Sequence, residues 1–285
     1  MTTSHDLIAL VATRIWVEER MLLDALRERG VPCEHVDDRA IVYVVGGPRP
    51  PYRGVLNRAL SATRRLEVSR WCEAIETPVV NTTTTVATCD SKIAMSLALH
   101  EAGIPVPATA VALDAAVGTE AVDEIGIPAV VKPVNGSWGR GVARVRDDDA
   151  AEAVFSLREE LGSTPTQKLG YVQEFVPGRD LRVLVVGRRA VGAIVRQSEH
   201  WVRNTARGAE ATAYRLDREL AALAERAADA VGGGLLGVDL LETDEGERVV
   251  LEVNAAPEFH GLASAHPDLP IAEMMVDYVL SEIAA

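Results

Sequence analysis

The chain has 285 residues, of which 48% are hydrophobic, 25% charged and 4% aromatic, a composition typical of a globular protein and unlike that of disordered, collagenous or repeat chains. At about 150 residues per domain, this length predicts two or three domains. With 29 basic and 42 acidic residues the net charge is −13. Such a charge repels nucleic acids and anionic membranes, so an anionic ligand requires a local basic pocket.

Cysteine and histidine usage limits the metal and disulfide chemistry. Cys33, Cys72 and Cys89 are odd in number and form no CxxC pair, which favours a reducing, cytoplasmic setting. The six histidines show no HxxxH or HExxH spacing, so a zinc site is not expected. The first residues carry no basic segment before a short apolar run, and no window reaches 18 consecutive apolar residues. We therefore expect neither secretion nor membrane insertion.

The chain begins with alternating strand and helix patterns, the start of a βαβ layer. The elements predicted first are a strand at 7–12, a helix at 17–29, a strand at 31–36, a proline-rich loop at 46–51, a helix at 60–76, a strand at 78–81 and a helix up to His100 with Asp90 as its N-cap. Gly103, Pro105 and Pro107 then mark a boundary.

Strands become more frequent after residue 107, and a polar segment at 162–168 marks a second boundary. The predicted strands lie at 109–112, 129–132, 142–145, 171–176, 181–186, 190–196, 235–241 and 248–253, with helices reaching Ile125 and at 148–161 and 216–230. The tight turn at 186–188 predicts antiparallel pairing in the last third. The chain thus combines an α/β part with an α+β part.

Two carboxylates interrupt apolar strands near the end of the chain. Asp239 and Glu252 each lie among aliphatic residues, and a buried carboxylate requires a cation or several hydrogen-bond donors. Because side chains alternate along a strand, Glu252 and Asn254 share one face. Three oxygen ligands on neighbouring strands suit Mg²⁺. The alternative is a solvated face on which Asn254 only ends the strand.

A glycine-rich loop and a group of arginines supply candidate anion-binding sites. Residues 136–141 follow a strand that ends at Lys132, and glycines allow backbone N–H groups to turn toward a phosphate. The alternative is an ordinary hairpin loop. Arg182, Arg196 and residues 203–208 add guanidinium groups that suit carboxylates or phosphates; ion pairing at the surface is the alternative. No GxSxG motif supports acyl transfer by serine.

Eight short motifs follow one another along the chain. They are Cys89-Asp-Ser-Lys92, Val130-Val-Lys-Pro133, Gly136-Ser-Trp-Gly-Arg-Gly141, Val172-Gln-Glu-Phe-Val176, Gly178-Arg-Asp-Leu-Arg182, Arg203-Asn-Thr-Ala-Arg-Gly208, Gly237-Val-Asp239 and Leu251-Glu-Val-Asn254. In this order they resemble the RimK-like amino-acid ligases of the ATP-grasp superfamily. Residues 58–65, 200–208 and 254–259 resemble the LysX ligases in particular, from which residues 255–257 and His260 depart.

The resemblance implies an ATP-grasp fold and assigns roles to individual residues. It implies a βαβ pre-ATP-grasp domain at 1–88 and two α+β subdomains, at 89–168 and 169–285, that hold the nucleotide between them. ATP would be bound by Lys92, Lys132, Gly136, Ser137, Trp138, Gly139, Arg140, Gly141, by an adenine hinge at Glu174, Phe175 and Val176, and by Asp180. Two Mg²⁺ ions would bind at Asp239, Glu252 and Asn254. Catalytic groups would be Arg182, Arg196, Asn204 and Arg207, and substrate contacts Arg58, Glu258, Phe259 and His260.

The implied reaction is ATP-dependent amide formation through an acyl-phosphate. It would join the amino group of α-aminoadipate or a related amino acid to the C-terminal glutamate of a small acidic LysW-type carrier protein, in a cytoplasmic homo-oligomer without nucleic-acid or membrane partners. A cluster formed by Arg58, Arg64, Arg65 and Arg70 would steer the acidic carrier. Two alternatives remain: a RimK-type glutamate ligase acting on a protein C-terminus or coenzyme, and a nucleotide-binding module without turnover.

Overall fold

The structure is a computed structural model that describes residues 7–136, 140–197 and 210–284. Five of the site residues expected from sequence lie outside these ranges, namely Ser137, Trp138, Gly139, Asn204 and Arg207. The described residues form three β-sheets, of four, four and five strands. Among them, no helix is both long and apolar enough to cross a membrane.

The first sheet is parallel, in the order β2-β1-β3-β4. Its elements are β1 (Leu7–Val11), α1 (Val17–Glu28), β2 (Cys33–Val36), β3 (Tyr52–Asn57), α2 (Ala62–Ala74) and β4 (Val79–Val80). The sequence did not predict β3, because prolines precede it and Gly54 interrupts its apolar run. Its buried Val55 and Leu56 nevertheless pair with β1, so tertiary pairing decides this strand.

Two helices connect this sheet to the rest of the chain, α3 (Thr83–Cys89) and α4 (Lys92–Glu101). The expected N-cap was wrong by one residue. Ser91 caps α4, because its hydroxyl accepts from the N–H of Ala94 at 3.3 Å. Asp90 ends α3 instead, and its carboxylate pairs with Arg65.

The second sheet is antiparallel, in the order β5-β8-β6-β7. The elements of this part are β5 (Thr109–Ala112), a 3-10 turn (Ala115–Val117), α5 (Gly118–Ile125), β6 (Ala129–Lys132), β7 (Ala143–Val145), α6 (Asp148–Leu161), α7 (Pro165–Lys168) and β8 (Gly170–Glu174). We expected a boundary at residue 168, but β8 pairs with β5 and β6. The central sheet therefore continues to Glu174.

The third sheet is antiparallel as predicted, in the order β11-β10-β9-β12-β13. The remaining elements are β9 (Arg179–Gly187), β10 (Arg189–Gln197), β11 (Glu210–Tyr214), α8 (Arg218–Ala230), β12 (Gly234–Glu242), β13 (Arg248–Asn254), α9 (His260–Ala265) and α10 (Ile271–Ala284). The pairing register places Asp239 opposite both Arg182 and Glu252. Polar groups distant in sequence thus meet on one sheet.

Helix α10 returns to the first sheet. Met275, Val279 and Ile283 belong to the same buried cluster as Leu10 and Leu56, and this burial is the main favourable term in joining the two parts. The contact is close at Gly54, where a Cβ atom would overlap the Ile283 side chain. The first sheet therefore shares its core with the end of the described chain.

Candidate active site

A cavity of about 750 Å³ brings most of the described candidate residues together. Those that line it are Arg58, Lys92, Gly136, Arg140, Gly141, Arg182, Arg196, Glu252, Asn254 and Glu258. Four of them lie on strands of the third sheet, Lys92 lies on α4, and the others lie in loops next to the three sheets. Clefts with few convergent charged groups are the usual location of ligand sites, so this cavity is the candidate active site.

The three expected metal ligands meet at one edge of the cavity. The Asn254 Nδ2 atom lies 3.3 Å from both Asp239 Oδ2 and Glu252 Oε1. The Asp239 side chain is 4% exposed, whereas that of Glu252 is 33% exposed. Among the described residues, no group of three His, Cys, Asp or Glu side chains could hold a metal. A cation here would thus be held by two carboxylates and one amide, all hard oxygen donors.

Two arginines neutralise Asp239. The Nε and Nη2 atoms of Arg182 donate to its two oxygens at 2.7 and 2.8 Å, and the Nη2 atom of Arg196 lies 3.3 Å from Oδ2. Burial by itself raises the pKa of Asp239, but Arg182 and Arg196 outweigh it and bring the pKa down to about 2. Asp239 is therefore ionised throughout the physiological range, as a metal ligand must be.

Asp180 was expected to contact the nucleotide, and among the described residues its carboxylate binds an arginine. It is buried, and Arg196 Nε donates to its Oδ1 atom at 2.9 Å. Burial raises the pKa of Asp180 to about 6, against the opposing effect of Arg196. Because Arg196 lines the cavity while Asp180 lies behind it, this carboxylate orients the guanidinium group.

The chain contains only three lysines, and two of them belong to this site. Lys92 Nζ donates to the carbonyl oxygen of Gly136 at 3.0 Å and lies 3.7 Å from Glu252 Oε2. Lys132 Nζ donates to Gln173 Oε1 at 2.6 Å. Burial lowers the pKa of Lys132 to about 8; Glu252 opposes this shift and Lys92 adds to it. Two ammonium groups in one cleft are a strong signal for an anionic ligand.

The expected loop and hinge border the central sheet. Gly136 and Gly141 adopt φ angles of +135° and +67°, which glycine tolerates at little cost. At the hinge, the N–H of Glu174 donates to Ala108 O at 2.8 Å and that of Phe175 to Pro128 O at 3.1 Å. These two N–H groups are engaged within the protein, so they are not available as donors to a base in this conformation.

The four expected substrate contacts are distributed differently from the prediction. Glu258 lines the cavity, but Phe259 is 1% exposed and belongs to the hydrophobic core. His260 is exposed at the start of α9, where its N–H donates to Glu18 Oε1 at 3.2 Å. Arg58 reaches the cavity, yet its side chain is 7% exposed and paired with Glu19. Of these four residues, Arg58 and Glu258 line the cavity, and Phe259 and His260 do not.

The proposed steering cluster is not a free positive patch. Arg58 pairs with Glu19, Arg64 with Asp38, Arg65 with Asp90, and Arg70 with Glu67. Each guanidinium charge is therefore compensated by a carboxylate within the same part of the molecule. The pairing of these arginines with Glu19 and Asp90 could not be predicted from the sequence, because each contact joins residues at least 25 positions apart.

The chain falls into the class of ATP-grasp proteins. Residues 89–279 match the RimK-like ATP-grasp domain, and residues 8–88 match the LysX preATP-grasp domain. The chain therefore belongs to the RimK-like ATP-grasp family, and it is an ATP-grasp ligase that forms carbon–nitrogen bonds. The family uses ATP.

Two related ligases and one solved structure illustrate what this chain is similar to. The α-aminoadipate–LysW ligase LysX of Saccharolobus solfataricus is 37% identical over 72% of this chain and 75% of the relative. The glutamate–LysW ligase ArgX of Sulfolobus acidocaldarius is 28% identical over 95% of this chain and 97% of the relative. A RimK domain ATP-grasp protein of Sphaerobacter thermophilus superposes with a TM-score of 0.82 at 32% identity, over 96% of this chain and 99% of that one.

Proposed function

We propose that this ligase joins the amino group of α-aminoadipate or glutamate to the C-terminal glutamate of a LysW-type carrier protein. The observation that carries the proposal is that Lys92, Arg182, Glu252 and Glu258 all line the same cavity. The likeness to LysX at 37% identity favours α-aminoadipate. The likeness to ArgX over nearly the full length keeps glutamate as the second amino acid to test.

The nucleotide part of the proposal assigns ATP phosphates to Lys92 and Lys132, with residues 136–141 above them. Supporting this are the Lys92 and Lys132 ammonium groups and the positive φ angles of Gly136 and Gly141, which line the cavity. Glu174, Phe175 and Val176 would contact adenine. Since the first two N–H groups of this hinge are engaged, we infer that carbonyl oxygens and the Phe175 ring supply most of the contacts.

The metal part of the proposal places Mg²⁺ at Asp239, Glu252 and Asn254, with two ions as the expected number. The donor set fits in its chemistry, because the Asp239 and Glu252 carboxylates come together at the Asn254 amide, whose Nδ2 donor lies between them, where positive charge is required. When bound, Mg²⁺ would neutralise phosphate oxygens. The protein contributes in two ways: it keeps Asp239 ionised, and it holds Arg182 and Arg196 next to the proposed metal site.

The chemistry then rests on charge compensation. A carrier carboxylate attacks the γ-phosphate of ATP and displaces ADP to give an acyl-phosphate, which Arg182 and Arg196 stabilise together with Lys92. The amino group of the second substrate, after losing a proton, displaces inorganic phosphate and forms the amide. Glu258, which lines the cavity, is placed to bind this group while it is still an ammonium ion. A closed cavity matters because water would hydrolyse the acyl-phosphate.

The test is amide formation with purified components. The protein is incubated with ATP, Mg²⁺, a LysW-type carrier and one amino acid at a time, and the carrier mass and ADP are measured. We expect one amino-acid residue added per ADP, with α-aminoadipate preferred. A matched carrier lacking its C-terminal glutamate should give neither product. Equal turnover with free glutamate or a coenzyme as acceptor would reject the carrier.

Other features of the protein stay predictions. The pre-ATP-grasp unit at 1–88, a central subdomain beginning at residue 89 and a C-terminal subdomain remain the proposed division, with the central sheet continuing to Glu174. The homo-oligomer, the cytoplasmic location and the lack of nucleic-acid or membrane partners are likewise proposed.

A further inference from the structure

The segment that follows Asn254 shows a strict alternation of burial. Ala255, Pro257 and Phe259 are buried. The residues between them, Ala256 and Glu258, are partly exposed and line the cavity. Alternate residues of this segment therefore face opposite sides, of which one is held by the protein and the other lines the cavity.

The buried side of this segment is held by the first sheet. Asn81, directly after β4, donates through Nδ2 to the carbonyl oxygen of Ala255 at 2.6 Å. Arg58, directly after β3, donates through Nη1 to the carbonyl oxygen of Pro257 at 2.8 Å. Its guanidinium group also lies over the Phe259 ring, 5.8 Å from the centroid. Two side chains of the N-terminal sheet thus fix three successive buried positions.

Arg58 is itself held rigidly. Its backbone N–H donates to Val11 O at 2.7 Å, and its Nε donates to Glu19 Oε1 at 3.1 Å. The other oxygen of Glu19 accepts from the N–H of Trp16 at the start of α1. The side chains of Arg58 and Glu19 are each 7% exposed, and charge-assisted hydrogen bonds away from water are strong and directional.

We propose that Arg58 is a positioning residue that fixes residues 255–259, and thereby sets where Glu258 stands relative to Asn254. This rests on the proposed function only for the identity of the ligand at Glu258. Glu258 lies four positions after Asn254, a reach of at most about 14 Å even for a fully extended chain. A loop free to bend would shorten and vary that reach. Held by Arg58, it presents a carboxylate at a constant distance from the metal-ligand edge.

The proposal replaces the expectation that Arg58 binds substrate. A guanidinium group engaged with Glu19, Pro257 O and Phe259 has little capacity left for a ligand. It acts through the loop instead, so its loss should affect binding of the incoming amine and not of the nucleotide. This separation between substrates is what a general stabilising role would not produce.

The test uses Arg58→Lys, which keeps a cation beside Glu19 but lacks the planar fork needed to reach Pro257 O as well. Arg248→Lys is the matched control, since Arg248 is a similarly shielded arginine that forks to Asp217 and Glu242 far from this loop. Hydrogen exchange of the peptide spanning residues 255–260 is measured in the ligand-free protein. We expect about tenfold faster exchange in Arg58→Lys and no change in the control.

Kinetics provide the second measurement. With ATP, carrier and amino acid, Arg58→Lys should raise the KM for the amino acid about tenfold and leave the KM for ATP within about twofold. Unchanged loop exchange would overturn the proposal, as would parallel increases in both KM values. If the wild-type protein forms no amide with any tested pair, the proposed function fails, while the exchange measurement still decides whether Arg58 fixes the loop.

Discussion

The N-terminal region and the ATP-grasp region use positive charge in different ways. Residues 1–88 contain eleven arginines and no lysine, balanced by eleven acidic residues. Residues 89–285 contain all three lysines and fifteen arginines against 31 acidic residues, and so account for the whole net charge of −13. In the region that is neutral as a whole, arginines such as Arg58 and Arg64 pair with carboxylates of the protein, whereas the acidic region concentrates cations at one cavity.

The difference shows that local arrangement decides what a charge does. Arg58, Arg64 and Arg65 each meet a carboxylate of the protein, so they fasten structural elements. Lys92 and Lys132 instead donate to neutral oxygen acceptors, with Glu252 3.7 Å from Lys92 and both Glu252 and Asp239 acting on Lys132. Ammonium groups that donate to neutral oxygens can still bind an anion that comes from outside.

The largest expected effect tests the acidic side of the cavity. Glu252→Gln removes one charge from the metal edge without leaving a buried arginine unpaired, so activity should fall about 10²- to 10³-fold while the fold is retained. ADP release and circular dichroism measure the two properties. Asp239→Asn should be equally inactive, but it also deprives Arg182 of its partner. Asp229→Asn, at a surface pair with Arg188, is the control, and near-normal turnover of Glu252→Gln would remove the metal assignment.

A second test addresses the joint between the two regions. Gly54→Ala should overpack against Ile283 and cost about 1–3 kcal/mol of the free energy of unfolding, whereas Ile283→Ala leaves a cavity that costs about 2 kcal/mol or more. Because the new methyl group fills part of that cavity, the double variant should be more stable than the sum of the single effects predicts. Urea unfolding measures all three. Strictly additive changes in the free energy of unfolding would show that α10 and β3 are not tightly packed at this contact.

A pH dependence tests Lys132. Its pKa is lowered to about 8, so the ammonium form prevails below pH 8 and is lost above it. The KM for ATP should be flat below pH 8 and rise up to about tenfold per pH unit above it. Lys132→Arg stays charged and should flatten the profile, even where its absolute affinity is lower. A wild-type profile that is flat to pH 9.5 would contradict the assignment of Lys132 to phosphate.

The smallest effect is expected at the surface of α2. Arg70→Glu reverses a charge whose partner, Glu67, is exposed on the same helix, so stability should change by no more than about 1 kcal/mol. Carrier association should be equally insensitive to this substitution. Its dependence on salt concentration should match that of the wild-type protein. A marked, salt-dependent loss of carrier binding measured by calorimetry would restore the steering role that we expected from the sequence.

Sequence patterns singled out the candidate site residues but not the residues that support them. Asp239, Glu252 and Lys132 stood out because a charged residue within an apolar strand is conspicuous at short range. The role of Asp180 and the burial of Phe259 gave no such signal. Their partners are Arg196 and the core shared with α10, and only the folded chain brings these together. Strand β3 was missed for a related reason, since its pairing with β1 outweighs a weak local pattern.

The return of α10 to the first sheet affects how the protein folds during synthesis. Ile8, Leu22 and Leu26 emerge from the ribosome early, yet the cluster that buries them includes Met275 and Ile283. At about 5–20 residues per second, some 250 further residues require roughly 12–50 seconds to be made. During that interval one face of the nascent βαβ layer has no permanent cover. This face is a natural binding site for chaperones, and its closure makes the N-terminal region one of the last parts to reach its final stability.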